Sequence, residues 1–255
     1  MKDFPSIRAG VLLAALLIST GAGFPEPAGA VTYLEQAERI QQVYAYLIDY
    51  RPAGAPRVPK RGLIEVQAEV IPTPEVDHRV GAKDEPFDPP AALPRVRAKY
   101  IASWGLMLGA TASPPVEAMG FSAPWVGAEA GLRAALGAVH GELRGYWISA
   151  QVTGPLTDTS AQDEFEVINR GYDLRLGLDL GAWMPYGGAG RGHSTSQLTI
   201  ESDGAVLEAE GNYAYWMAGI TYAMNTPSAP LLFTVEQNGT EDVLYHIILA
   251  AAVQF

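Results

Sequence analysis

From Gly62 to the C-terminus, apolar side chains recur at every second position. In Leu63 to Ile71 the even positions are Ile64, Val66, Ala68 and Val70, and the odd ones include Glu65, Gln67 and Glu69. From Arg95 to Thr111 an even stripe runs Val96, Ala98, Tyr100, Ala102, Trp104, Leu106, Leu108, Ala110, against Arg95, Arg97, Lys99 and glycines. Val126 to Leu136 repeats the pattern opposite Gly127, Glu129, Gly131 and Arg133. Ile168 and then Tyr172 to Met184 stand opposite Asn169, Asp173, Arg175 and Asp179. Two further stripes cover Ala214 to Met224 and Val243 to Phe255. Period-two alternation marks strands with two chemically different faces. The phase slips in two places. The apolar face of Val139 to Thr153 switches near Gly145-Tyr146, which predicts a bulge, and Ala205 to Asn212 changes phase before the Trp216 stripe.

The pattern predicts eight strands, at 63–71, 95–111, 121–136, 139–153, 165–184, 205–224, 230–237 and 242–255. Gly137-Ala138 and Asn238-Gly239 read as hairpin turns. Pro72 to Pro94 and Pro185 to Gly204 read as long loops at one end, and Asn225 to Ala229 as a short turn at the other. Ahead of the strands, Thr32 to Tyr50 places Leu34, Ala37, Ile40, Tyr44, Leu47 and Ile48 at helical spacing, with Glu35, Glu38, Arg39 and Asp49 elsewhere. That predicts one amphipathic helix. Prolines 52, 56 and 59 make Arg51 to Arg61 a stiff connector. Residues 1–30 have the form of a cleaved signal peptide: Lys2 and Arg8, an apolar stretch, then Ala28-Gly29-Ala30. The expected organisation is thus signal peptide 1–30, helix and connector 31–61, and barrel 62–255.

Composition narrows the medium and the chemistry. The 255 residues carry 17 Lys+Arg against 28 Asp+Glu, a net charge of −11. That balance argues against nucleic acid as a partner. With no cysteine, thiolate metal sites, disulfides and Cys nucleophiles are excluded. After Ala30 no apolar run approaches the roughly 20 residues of a membrane-spanning helix. A β-barrel is the other backbone that satisfies itself in lipid. Three features favour lipid outside over a soluble barrel with the stripes inward. Segments are longer than the usual 5–6-residue strand. The polar face is rich in glycine, as a narrow lumen requires. The polar face also alternates in sign, so its charges can pair: Glu65, Glu69, Arg95, Arg97, Lys99, Glu129, Arg133, Asp173, Arg175 and Asp179 form the expected lumen network.

The last strand places Tyr245 and Phe255 on one face, about 25 Å apart at ordinary barrel tilt, the height between two aromatic girdles. With this signal peptide, these strands and the ending Val253-Gln254-Phe255, the chain resembles small Gram-negative outer-membrane β-barrels. The resemblance implies an all-β, antiparallel up-and-down transmembrane barrel of about eight strands, preceded by one short amphipathic helix. It also implies residence in the cell outer membrane, contact with outer-membrane lipid, and assembly by the barrel-assembly machinery through Val253 and Phe255. The expected role is structural, surface-recognition or that of a narrow pore. The alternatives are a secreted or periplasmic barrel holding an apolar ligand, and an outer-membrane lipid-modifying enzyme. The helix is expected to pack in the lumen or at the periplasmic mouth, with the periplasmic end favoured, or to dock a periplasmic partner.

Other candidate chemistry is thin. His78, His140, His193 and His246 lack metal-ligand spacing. His193 and Ser194 would be the lipid hydrolase pair, but neighbours in extended chain point to opposite faces. Gly187 to Gly192 lacks the Lys-Ser/Thr of a phosphate loop and reads as a flexible outer loop. Asp158, Asp163 and Glu164 lack EF-hand spacing. The Asn238-Gly239-Thr240 sequon reads as a turn. No cofactor, metal site or catalytic residue is expected.

Overall fold

A computed structural model describes residues 53–59, 61–72, 92–113, 117–118, 121–156, 161–202, 204–226, 229–240 and 245–255. The signal peptide, the helix at 32–50, His78 and Asp158 lie outside the described residues.

Among the described residues twelve strands follow one another: β1 (Leu63–Pro72), β2 (Ala92–Ile101), β3 (Leu106–Ala112), β4 (Glu117–Ala118), β5 (Phe121–Ser122), β6 (Trp125–Leu136), β7 (Val139–Gly154), β8 (Asp163–Leu178), β9 (Trp183–Thr199), β10 (Val206–Met224), β11 (Leu231–Thr240) and β12 (Tyr245–Gln254). The two-residue β4 and β5 form a side hairpin beside β7. The other ten close an antiparallel barrel, each strand pairing with the next and β12 pairing with β1. Phe255 completes that seam by exchanging backbone hydrogen bonds with Ile64, at 2.9 and 3.2 Å.

Among the described residues the barrel has ten strands rather than eight because one predicted strand, 95–111, is a hairpin and because the loop expected after 165–184 is itself a strand. The segment 95–111 turns at Ala102 to Gly105, where Gly105 adopts φ 101°. Its register pairs Tyr100 with Leu108. Even meets even, so the alternation passes through the turn unchanged and hides it. The segment 165–184 turns at Asp179 to Ala182, with Gly181 at φ 81°. Here Leu176 faces Gly187, even against odd, and the outward face changes parity. Met184 is therefore fully buried and Trp183 is exposed, the reverse of the expected stripe. The expected loop from Pro185 to Gly204 is mostly strand β9. Short connections at 102–105, 137–138 and 179–182, and the one between β10 and β11, share one end with the C-terminus. Asn238-Gly239 is not a turn: it lies in β11, paired with His246 and Tyr245.

The expected bulge in β7 is also absent. Its registers run unbroken, from Leu136↔Val139 to Trp125↔Ala150 on one side and from Val139↔Leu178 to Gly154↔Asp163 on the other. What changes is the surroundings. In the lower part of β8, Asp173 and Arg175 are buried while Tyr172, Leu174, Leu176 and Leu178 are exposed. In the upper part, Phe165 and Val167 are buried while Glu166 and Arg170 are exposed. The strand keeps its orientation and the wall changes polarity. The same change explains the apparent phase slip at the start of β10, where Glu208 and Glu210 point out and Leu207 points in.

The lower wall is an apolar belt around a charged interior. Exposed Tyr100, Trp104, Trp183 and Phe255 edge it near the short turns, and Trp147, Tyr172 and Trp216 edge it above. A belt edged by aromatic rings, with ions inside and leucine outside, has the polarity hydrocarbon demands. β7 to β10 carry 16, 16, 17 and 19 residues, against 7 to 12 in the other barrel strands. Their short-turn ends are level, so they rise beyond the others by about 15 Å at ordinary tilt, as a fin. The β10–β11 ladder begins only at Tyr215↔Thr240, leaving the first nine residues of β10 above β11.

Candidate functional site in the barrel lumen

The lumen holds two systems that meet at its centre: an ion-pair network on the wall and a strap of chain threaded through the middle. The network starts between β1 and β2, whose register sets Glu65 against Lys99, Gln67 against Arg97 and Glu69 against Arg95. Lys99 Nζ lies 2.6 Å from Glu65, and Arg95 pairs with Glu69. Arg97 reaches over β3 to Glu129 on β6 with two bonds, Nε to Oε1 at 2.7 Å and Nη2 to Oε2 at 2.6 Å. Gly109 on β3 makes that reach possible, because a Cβ there would lie 2.4 Å from Glu129 Oε1. Glu129 also accepts from Arg144 at 3.3 Å. Arg144 pairs with Asp173, and Arg133 with Glu142. Arg175 lies 3.4 Å from Asp173 and 3.7 Å from Glu236 on β11. Tyr215 donates to Asp173 at 2.9 Å, and Tyr186 donates to Glu236.

The signs balance. Glu65, Glu69, Glu129, Glu142, Asp173 and Glu236 face Arg95, Arg97, Lys99, Arg133, Arg144 and Arg175, and all are buried. A buried charge is tolerable when paired and hydrogen-bonded. The net charge of −11 therefore sits outside this network.

The strap is Ala53 to Pro59, the part of the connector that precedes β1. It enters at the short-turn end and rises to mid-lumen. Arg57 Nη2 anchors the mouth, donating to Asp179 at 3.3 Å and to the Gly181 carbonyl at 2.8 Å. The Val58 amide donates to His140 Nδ1 at 3.1 Å, and Arg133 donates to the Arg57 carbonyl at 3.0 Å. Higher up, the Ala55 amide donates to Thr221 at 3.2 Å. The Gly54 amide donates to Tyr186 at 3.0 Å while its carbonyl accepts from Arg175 at 3.0 Å. Gly54 sits at φ 139°, a conformation that L side chains rarely adopt. The Ala53 carbonyl accepts from Gln67 at 2.8 Å, and Ala53 is fully buried. Beside the strap lies a cavity of about 20 Å³, bounded by Gly54, Glu65, Arg133, Thr221 and Gln254 among others. That is room for about one water.

Nine of the ten expected network residues line this interior. Asp179 does not: it lies in the β8–β9 turn, half-exposed, with Arg57 and 3.8 Å from His140. Sequence reading missed Gln67, Glu142, Arg144, Tyr186 and Glu236, and missed the strap altogether. Glu142 and Arg144 were obscured by the polarity change in β7. Tyr186 was assigned to a loop. The small run Ala53-Gly54-Ala55 was the available signal for a chain that must thread a crowded space. His193 on β9 sits within 3.0 Å of Asn212 Oδ1 and 3.3 Å of Glu210. Ser194 belongs to the inward series of β9, so the two do not meet. The Asp163 carboxylate accepts from the Glu201 amide at 2.9 Å. Among the described residues no cluster of three metal-ligating side chains occurs.

No family model and no curated protein matches the chain. Several solved structures are similar in fold. The translocator domain of the autotransporter NalP from Neisseria meningitidis aligns with 86% of this chain and 92% of its own, at 10% identity and TM-score 0.44. Ail, the attachment invasion locus protein of Yersinia pestis, aligns with 76% and 95%, at 12% identity and TM-score 0.29. The TodX monoaromatic hydrocarbon channel, as its deltaS2 mutant, aligns with 75% and 67%, at 11% identity and TM-score 0.36. All three scores fall below 0.5, so the reading of this barrel rests on its own geometry.

Proposed function

We propose that the protein is an outer-membrane β-barrel whose lumen is closed to solutes, and that it works as a rigid, non-enzymatic platform for recognition at the cell surface. The observation that carries this reading is the filled lumen. Six ion-paired acids and six bases crowd the lumen together with the strap, and the cavity beside the strap is about 20 Å³. The belt takes outer-membrane lipid, and Val253 with the exposed Phe255 ends the chain as the signal for the barrel-assembly machinery. The fin and the longer connections at its end of the barrel present the recognition surface to the exterior. A narrow-pore role is disfavoured by the strap, and hydrolysis by the separation of His193 from Ser194.

The test is conductance. Purified protein refolded into planar bilayers is expected to give no steady channel, and removal of residues 31–59 to open one. Steady conductance from the intact chain would refute the closed-lumen reading.

A further inference from the structure

On the outer wall, the fin meets the apolar belt at two unpaired cations. Arg170 on β8 lies in register with Trp147 on β7 and His193 on β9, and Arg191 on β9 lies in register with Tyr172 on β8. The two arginines are diagonal neighbours on one face, about 7–8 Å apart along the backbone, so their long side chains can converge on one anion. Both are exposed, and among the described residues neither has an ion-pair or hydrogen-bond partner. The six lumen bases and Arg57, by contrast, are all paired. Two like charges held side by side favour an anion between them.

Their depth identifies its source. Below Arg170 on β8 come Tyr172 and then Leu174, Leu176 and Leu178, the aromatic edge and hydrocarbon face of the belt, and above it comes Glu166. The arginines stand where the apolar wall gives way to a polar one, at the level of lipid headgroups. An anion bound there on the outer wall belongs to a lipid, and the guanidinium fork suits phosphate. Directly above the pair the wall is concave. A groove of about 330 Å³ is lined by Glu166, Ile168, Thr195, Gln197, Glu208 and Glu210 among others. That size falls within the range of small-ligand sites, about 300–1,000 Å³. Ile168 offers an apolar floor among side chains that accept hydrogen bonds, which suits sugar hydroxyls. The carboxylates would repel a phosphate inside the groove, so the order is phosphate on the arginines and sugar above. Glu210 lies 3.3 Å from His193 Nε2, which offsets part of that acidity.

We infer that Arg170 and Arg191 hold the phosphate of a phosphorylated glycolipid in the outer leaflet, with its sugar seated in the groove above. This rests on the surface-platform reading, which points the fin outward, and gives the fin's outer wall a ligand of its own.

The test uses the full chain refolded in detergent, its fold checked by heat-modifiable mobility, with lipid A bearing or lacking its phosphates as the probe. Tryptophan emission reports binding, since Trp147 stands beside Arg170. The double variant Arg170→Gln/Arg191→Gln is expected to weaken binding of the phosphorylated lipid by about tenfold or more, and to leave the dephosphorylated lipid unaffected. Thr195→Trp, which fills the groove, is expected to weaken both. Equal affinity of the wild type for the two lipids, a double variant that binds phosphorylated lipid as wild type does, or a Thr195→Trp variant with unchanged affinity overturns the inference. So does arginine-dependent binding of heparin without binding of lipid A, which would assign the pair to a soluble polyanion. Val206→Cys, near the top of the fin in a chain with no other cysteine, separates the two readings. If a membrane-impermeant maleimide labels it on intact cells, absence of phosphate-dependent binding overturns this inference alone. Labelling only after the outer membrane is permeabilised overturns the platform reading as well.

Discussion

Glu129 is the position where the lumen's energetics can be measured most directly. It receives two short bonds from Arg97 and a longer one from Arg144. A hydrogen bond to a charged group contributes about 1.5–3 kcal/mol, and breaking a buried pair by removing one partner costs about 3–5 kcal/mol, because the other charge stays behind. Glu129→Gln is therefore expected to destabilise the folded barrel by about 3–5 kcal/mol. Arg144 keeps Asp173, and Arg97 loses its two short bonds while keeping contacts that include the Ala53 carbonyl at 3.4 Å and Glu69 at 4.0 Å. Arg97→Met should cost a similar amount. The double variant Arg97→Met/Glu129→Met removes both charges and should fall short of the summed single costs by about 2–3 kcal/mol. Urea-driven unfolding in detergent micelles, followed by tryptophan fluorescence and heat-modifiable gel mobility, supplies all four corners of the cycle. Single costs below about 1 kcal/mol, the range of solvent-exposed pairs, or strict additivity, would show that water reaches the network and that the lumen is not packed as described.

Two further outcomes follow from the wall and the strap. Leu176→Arg places a charge near the middle of the apolar belt and should cost about 2–4 kcal/mol in a bilayer, read as loss of the folded band; an unaffected band would mean that this face does not meet hydrocarbon. Gly54→Val forces a β-branched residue into φ 139° and should cost about 1–3 kcal/mol, loosening the strap and giving intermittent conductance without dismantling the barrel, so a variant as silent and stable as wild type would refute the strap's role.

The strands were legible because a wall between two media writes its two faces into alternate residues. Leu174, Leu176 and Leu178 against Asp173 and Arg175 needed no other information. Strand number was not legible, since the turn at Ala102 to Gly105 preserves parity and the glycine-rich β9 resembles a loop. Its glycines are small because large neighbours lean over them: a Cβ on Gly190 or Gly192 would meet the ring of Tyr215 or Tyr213 within 2.5 Å. The phase slips in β7 and β10 were real signals with a different cause, because period two reports the environment as well as the orientation. The Glu65, Glu69, Arg95, Arg97 and Lys99 set was readable from adjacent strands. Glu236 was harder to place, being brought to Arg175 only by closure of the cylinder.

The even split of acids and bases has a consequence for biogenesis. Its members come from six strands, β1, β2, β6, β7, β8 and β11, so an isolated hairpin such as β1–β2 or β6–β7 would carry ions whose counterparts are still elsewhere. Arg175 meets Glu236 only after β9 and β10 have come between them in sequence. Piecemeal entry into the bilayer would strand those ions in oil at several kcal/mol each, and nearly complete sealing before descent avoids that barrier.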